Sequence, residues 1–390
     1  MASKYITPGL DEEHVALREM VRDFVDQRVI PGAGERDRGD IYPEELLPEL
    51  AELGLFGFTI SEEFGGSDAD YMSYGVIFEE LARGQMSLAS LVYTNTSGGY
   101  LIDKFGTQAQ KEKFLPGIVA GERMSGIAMT EPSTGSDLKQ IKLTARREGD
   151  HYVLNGSKIF ITHGRRANPL LLMVKTDPTI EPAHRGGISL MLLEHDTPGL
   201  SYGKDFEKLG HRGLELAELV FENAIIPAEN LLGEEEGKGF YQMMAALDRG
   251  RIYMAAASTG MAQASLEQAL SYASQRETFG KPLSDRQAIQ IKLADMATTI
   301  EASRLLYINA ARKTMAEGRA SGASAMAKIF ATENGLKVTY DAMQILGGSG
   351  YIKEFPVERY FRDSALMPIG EGSNDVLRFV LAKELVAGLK

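Results

Sequence analysis

The apolar residues of this chain change their period twice, and that change limits the fold more than any other feature. Before about Met124 they recur at helical spacing, as in Val15, Leu17, Val21, Phe24, Val25 and Val29. Pro31-Gly32 is expected to stop this first helix. "PEELLPELAELGLFGF" and "YMSYGVIFEELARG" continue the pattern, and "TQAQKEKFLPGIVAGE" adds a short helix opened by Thr107. Near Met124 the runs become short and rich in β-formers. "IKLTARREGDHYVLNGSKIFIT" holds two turn signals, Gly149-Asp150 and Asn155-Gly156, of which the second predicts a hairpin. "PLLLMVKT", "GGISLMLLE" and "LAELVFENAII" predict further strands. From about Gly239 helical spacing returns. It predicts one helix to about Gln275, a second through Ile289, Leu293, Met296 and Ile300, and a third from Met326 to Gly347-Gly348. A last helix follows through Val376, Leu377, Val380, Leu381 and Leu385. The fold class expected is multi-domain α+β: N-terminal helices, a middle β-domain and a C-terminal helix bundle.

A length of 390 residues suffices for such layers, and 44% hydrophobic with 25% charged residues is an ordinary globular composition. The net charge of −12 argues against a nucleic-acid partner, since no basic excess exists to neutralise phosphates. The absence of cysteine removes disulfides, thiolate metal sites and cysteine nucleophiles. No metal is expected. "MASKYITPGLDEEHVALREM" carries no leader pattern and no apolar run is long enough to span a bilayer, so a cytoplasmic protein without a membrane span is expected.

Six motifs hold candidate chemistry, each with a plain alternative. "MTEPSTGSD" (129–137) is a surface turn, or a loop whose N–H groups and hydroxyls hold a flavin edge or a phosphate. In "KIFITHGRRA" (158–167), Phe160 and Thr162 face one side of a strand, as core residues or as cover and partner for a planar cofactor. "ALDRGRIYMAAASTG" (246–260) gathers Asp248, Arg249 and Arg251, which on most helices are solvated charges. Arg276 in "SQRETFGKPLSDRQAIQ" (274–290) caps carbonyls or reaches a pyrophosphate. "QILGGSGY" (344–351) is a glycine-rich helix exit. In "PIGEGSNDVL" (368–377) the lone acid Glu371 stands between Gly370 and Gly372, ahead of an apolar helix whose macrodipole favours acids.

Together with "FEKLGHRG" and "NLLGEEEGKGF", and in this order, these strings resemble the acyl-CoA dehydrogenase family nearly end to end. The resemblance implies an N-terminal α-helical domain (1–124), a middle β-domain (125–234) and a C-terminal four-helix bundle (235–390). It implies an FAD-dependent oxidoreductase, a homotetramer (dimer of dimers) in which each FAD site takes residues from a neighbouring subunit. Ile127, Met129, Thr130, Gly135 and Ser136 fall on the loop along the flavin and the substrate entrance. Phe160, Ile161 and Thr162 fall on the strand that covers the ring and bonds its N5 edge. Arg276, Thr278, Phe279 and Gln287, with Gln344, Gly347 and Gly348, fall where the family reaches the neighbour's FAD. Ser373, Asn374 and Asp375 fall near the adenosine side of the chain's own FAD. Ser136, Asp248, Arg251 and Gly372 fall on the substrate side, and Glu371 falls on the catalytic base.

The implied chemistry is α,β-dehydrogenation of an acyl-CoA thioester to a trans-2-enoyl-CoA. A dry pocket raises the pKa of Glu371, which takes the α-proton while the β-hydrogen passes as hydride to flavin N5. Electron transfer flavoprotein is the expected acceptor. This chain departs from many relatives in carrying Phe160 for Trp and Gly370 for an aromatic. Gly98 and Gly99 fall on the segment lining the acyl pocket, and predict a wide cavity for a branched, cyclic or aromatic acyl group. Leu88 falls near the Arg of glutaryl-type relatives, which weighs against decarboxylation. Gly250 falls where isovaleryl-type relatives carry their base, so Glu371 has no local rival. The alternatives are a diverted member (desulfinase, oxidase or enoyl-CoA reductase) and a catalytically silent acyl-CoA- or flavin-binding subunit.

Overall fold

The computed structural model describes residues 9–387; residues 1–8, part of the stretch read for a leader pattern, and residues 388–390 lie outside them. The chain opens with α1 (Glu12–Phe24), capped by Asp11, whose carboxylate accepts from the His14 N–H at 3.0 Å. Pro31-Gly32 does not stop it. A π-helical turn, Val25–Val29, widens the spiral, Ile30 N–H reaches back to the Val25 carbonyl, and α2 (Ile30–Gly39) continues with Pro31 in its first turn. There the missing proline N–H costs no helical bond. The "PEELLPELAELGLFGF" helix is also shorter than its period suggests: α3 covers only Leu47–Glu52. The Gly54 left-handed turn (φ 70°) then lets Leu55, Phe56, Phe58 and Ile60 enter the core as irregular chain. The helices α4 (Tyr71–Gly84), α5 (Met86–Phe105) and α6 (Gln108–Val119) complete this layer, α6 opened by a Thr107–Gln110 capping box.

Seven strands form one sheet: β1 (Met124–Ala128), β2 (Thr144–Glu148), β3 (His151–Thr162), β4 (Ala167–Lys175), β5 (Ile188–Leu193), β6 (Leu200–Asp205) and β7 (Leu216–Pro227). Their order is β1-β4-β2-β3-β7-β6, with β5 also on β4; the pairings of β1 and β2 with β4 are parallel and the rest antiparallel. The β2–β3 hairpin turns at Gly149-Asp150, as expected. Asn155-Gly156 makes no hairpin. It lies inside β3, where the register against β7 slips and Gly156 (φ 140°) passes so close that an added Cβ would sit 3.0 Å from the Leu143 Cα. A bulge, not a turn, uses the glycine there.

The C-terminal part is built on α7 (Gly239–Gln275), 37 residues long. A small hairpin follows, β8 (Glu277–Thr278) with β9 (Lys281–Pro282), then α8 (Gln287–Glu317) and α9 (Ser321–Leu346). The short α10 (Val357–Ser364), which the periodicity does not announce, precedes α11 (Asn374–Ala387). α7, α8, α9 and α11 make the four-helix unit. One hydrophobic core joins α1, α4 and α5 to α7, α8 and α9, so the two helical layers share an interior; a second core sits between α5, α6 and β5, and a third fills the curled sheet. No helix among the described residues is long and apolar enough to cross a membrane.

Candidate active site

The segment between α10 and α11 turns sharply: Glu371 (φ 54°) and Gly372 (φ 83°) are both left-handed. A non-glycine residue held there is strained by about 1–3 kcal/mol, so the surroundings must enforce it. They do so from both ends. Asn374 N–H donates to the Pro368 carbonyl at 3.0 Å, and the wholly buried Lys328 of α9 donates to the Gly372 carbonyl at 2.7 Å and to Asn374 Oδ1 at 3.1 Å. The Asn374 amide donates in turn to Thr332 Oγ1 and Glu333 Oε1. Burial, set against the pull of Glu371, pushes the Lys328 ammonium down to about 8.

The Glu371 side chain points into the gap between α5, α7 and α9. Its residue surface is half-buried, yet Oε2 is enclosed and finds no hydrogen-bond donor. Desolvation raises the carboxyl above its ordinary value although the Tyr93 hydroxyl, Lys328 and Arg251 pull the other way. Gly250 of α7 makes the room: a Cβ there would lie 2.6 Å from Glu371 Oε2 and 2.4 Å from the Tyr93 hydroxyl. Asp248 and Arg251 do come together, at 2.6 Å, and Asp248 also accepts from Arg319 at 2.7 Å; the Arg251 Nε is buried without a partner. This charged chain leads from the carboxyl to an open pocket at the surface lined by His184, Arg185, Lys238, Phe240, Tyr241 and Arg319. Gly98 and Gly99 do not widen the cavity. A Cβ on Gly98 would strike Ser125 Oγ at 1.9 Å, and one on Gly99 would meet Ile60 Cδ1 at 2.9 Å, so both glycines serve close packing of α5.

A second group of expected residues forms one open face of the sheet. Phe160 stands at a bulge in β3 with φ 57°, 51% exposed against Phe206, while Ile161 points into the core and Thr162 returns to the Phe160 side. The Thr130 carbonyl accepts from Ile159 N–H at 2.9 Å, placing Met129 and Thr130 beside Phe160. Ile127 and Met129 pack half-buried on the second core. Two residues the motifs did not single out brace the loop. Lys158, wholly buried, donates to the Met129 carbonyl and Glu131 Oε1, both at 2.9 Å, and Glu131 accepts from the backbone of Lys142 and Leu143. Gly135 and Ser136 lie exposed at its tip.

The third group is remote from these two in the chain. Arg276, Phe279 (98% exposed) and Gln287 surround the β8–β9 hairpin with Thr278. Gln344, Gly347 and Gly348 are exposed at the end of α9, close by through Tyr272, whose hydroxyl meets Ser349 Oγ at 3.3 Å. Ser373 instead caps α11 near Glu371, its Oγ accepting from Val376 N–H at 3.4 Å, with Asp375 exposed beyond it.

Family models place the same three parts. The acyl-CoA dehydrogenase N-terminal domain matches residues 11–122, the middle domain 126–224 and the C-terminal domain 237–386. The chain belongs to the acyl-CoA dehydrogenase family. Among curated relatives, an acyl-CoA dehydrogenase of Bacillus subtilis is 40% identical over 97% of this chain and 99% of its own. Among solved structures, butyryl-CoA dehydrogenase from Megasphaera elsdenii superposes with a TM-score of 0.92 at 40% identity, covering 97% and 99% of the two chains. A glutaryl-CoA dehydrogenase from Mycobacterium smegmatis, solved in complex with FADH2, has a TM-score of 0.91 at 30% identity, covering 97% and 95%.

Acyl-CoA dehydrogenases are FAD-dependent oxidoreductases, and the sheet face fits such a group. An exposed aromatic in a strained conformation, a polar loop beside it and a threonine on the same face suit a planar, hydrogen-bonding ring. Of the residues this acyl-CoA dehydrogenase uses to shape the site, Tyr93 and Lys328 escape the motifs, because each meets Glu371 only through tertiary packing. For Lys328 a sequence signal exists, a lone cation within the small apolar run "SAMAKIFA".

Proposed function

We propose that this protein dehydrogenates an acyl-CoA thioester between its α and β carbons, with Glu371 as the base that removes the α-proton. The observation that carries this reading is the enclosed, unpartnered Glu371 Oε2, raised in proton affinity by desolvation and held on a left-handed turn. The Glu371 N–H finds no acceptor among the described residues, and so is free to donate to the thioester carbonyl as charge develops on it. His184, Arg185, Lys238 and Arg319 suit the phosphates of CoA, and Asp248 with Arg251 line the path inward. Phe160, Thr130 and Thr162 are the residues that would hold the flavin ring. FAD, when bound, supplies the hydride acceptor. Electron transfer flavoprotein is the proposed onward acceptor, and the cytoplasm the proposed location.

The assembly proposed is a homotetramer in which Arg276, Thr278, Phe279, Gln287, Gln344, Gly347 and Gly348 reach a neighbour's FAD. Its support is the cluster of exposed apolar side chains at that end of the molecule, with Phe279, Ile291, Tyr351 and Ile352 among them. Nothing at Gly98 or Gly99 favours a branched, cyclic or aromatic acyl group over a straight one. The test is anaerobic bleaching of the flavin by a panel of saturated acyl-CoAs. Wild type bleaches with at least one of them. Glu371→Gln keeps its yellow colour and stays oxidised; full bleaching of that variant contradicts the reading.

A further inference from the structure

Tyr93 is the nearest hydroxyl to the proposed base, and its ring is fixed more firmly than the reading above requires. It stacks on Tyr253 with centroids 3.9 Å apart and planes 2° from parallel, and Phe78 packs its edge against it at 6.2 Å. Tyr253 is anchored in turn by its hydroxyl to Ser90 Oγ at 2.9 Å. This packing aims the Tyr93 hydroxyl at the space beside Gly250. The oxygen is buried and has no partner there, and the same is true of Glu371 Oε2. A Cβ on Gly250 would be 2.4 Å from one and 2.6 Å from the other, so the two oxygens are separated by no more than those lengths laid end to end. One is a donor without an acceptor; the other, when ionised, is an acceptor without a donor. Two such groups left facing each other in a dry cavity are costly unless they pair.

We propose that Tyr93 is a positioning residue, whose hydroxyl donates to the ionised Glu371 carboxylate, aims it and sets the pH at which it works. The inference rests on the reading of Glu371 as base. The groups that face the carboxyl are Tyr93 from α5, Tyr74 from α4, Arg251 and Tyr253 from α7, and Lys328 from α9. Tyr93 presents the carboxyl with a buried hydroxyl that has no hydrogen-bond partner, across the space beside Gly250. No hydrogen bond joins the pair in the free chain, yet the hydroxyl is near enough to hold the carboxyl's proton affinity down. A hydrogen bond to the charged form lowers a pKa, so its removal raises one.

The experiment compares FAD-loaded wild type, Tyr93→Phe and Glu371→Gln. Phenylalanine keeps the stacked ring, and an unchanged melting temperature within a few degrees verifies this. Two readouts follow in each protein: the pH profile of anaerobic flavin reduction, and titration of the Glu371 carboxyl by infrared difference spectroscopy, its band assigned by loss in Glu371→Gln. In Tyr93→Phe the ascending limb and the carboxyl titration both move to higher pH. On that limb the rate drops roughly tenfold while the plateau at high pH changes by about twofold or less. If Glu371→Gln abolishes reduction but the profile and titration of Tyr93→Phe match wild type, the role of Tyr93 is overturned and the base assignment stands. If Glu371→Gln still reduces the flavin, the base assignment itself fails.

Discussion

Glu371 is placed where its charge is least welcome, and this has a consequence for stability. Desolvation raises its folded-state pKa above the ordinary 4.5. The folded chain therefore holds this proton more tightly than the unfolded chain does. The stabilisation is fully present below the unfolded value and is lost as pH rises through the folded one. Near neutrality the ionised side chain is a burden on the fold. Glu371→Gln should raise the melting temperature near pH 7, by on the order of 1 kcal/mol in stability, and the gain should vanish in melts near pH 4. A variant no more stable than wild type at neutral pH contradicts this. Glu371 and Phe160 were singled out in the sequence through the strings that resemble the family, since each local pattern alone also fits a plain structural role. Tyr93 and Lys328 were not: both reach the carboxyl only once α5 and α9 pack around α7. The reading of Gly98 and Gly99 failed for a related reason. A glycine marks a close approach, and the sequence does not say whether a ligand or another backbone makes it.

At the scale of elements, the period of apolar residues identifies helices whose apolar side chains recur at helical spacing and loses those whose buried faces are mixed. α4, α7 and α9 were legible, α4 although it is almost wholly buried. α5 was not, since buried Ser90, Thr94, Asn95, Thr96, Ser97, Gly98 and Gly99 interrupt its apolar residues and no stripe remains to be read. Turn chemistry misled twice, at Asn155-Gly156 and at Pro31-Gly32, where a bulge and a π turn absorbed the same residues. Gly250 shows what an element concedes to the site. A glycine inside a helix is ordinarily worth replacing, with alanine gaining roughly 1 kcal/mol. Here the added methyl would collide with Tyr93 and Glu371. Gly250→Ala should therefore gain no stability and should lose about a hundredfold or more in flavin reduction by acyl-CoA, given how steeply rates fall with small misplacements. A more stable variant with full activity, by thermal melts and anaerobic stopped-flow, contradicts this placement.

At the scale of the molecule, the helical layers are joined across a shared core by buried charges. Glu79 of α4 accepts from Arg304 of α8 at 2.7 Å and from the Tyr307 hydroxyl at 2.6 Å. Burial pushes the Glu79 carboxyl up, but Arg304 and Tyr307 together bring it below its usual value. Arg304→Met should leave that carboxylate buried with one partner and cost about 3–5 kcal/mol in denaturant melts; a loss below about 1 kcal/mol contradicts it. This clamp keeps α4 and α5 seated on α7, and so keeps Tyr93, Gly250 and Glu371 in one place. Glu371 is proposed to take its proton from the carbon next to the thioester. The most direct test is the anaerobic rate of flavin reduction by an acyl-CoA deuterated at that carbon, against its undeuterated form. Wild type should be slowed by the deuterium, and Glu371→Gln should fall by about a thousandfold or more with either substrate. Equal rates for the two substrates in wild type, together with an active Glu371→Gln, contradict the claim.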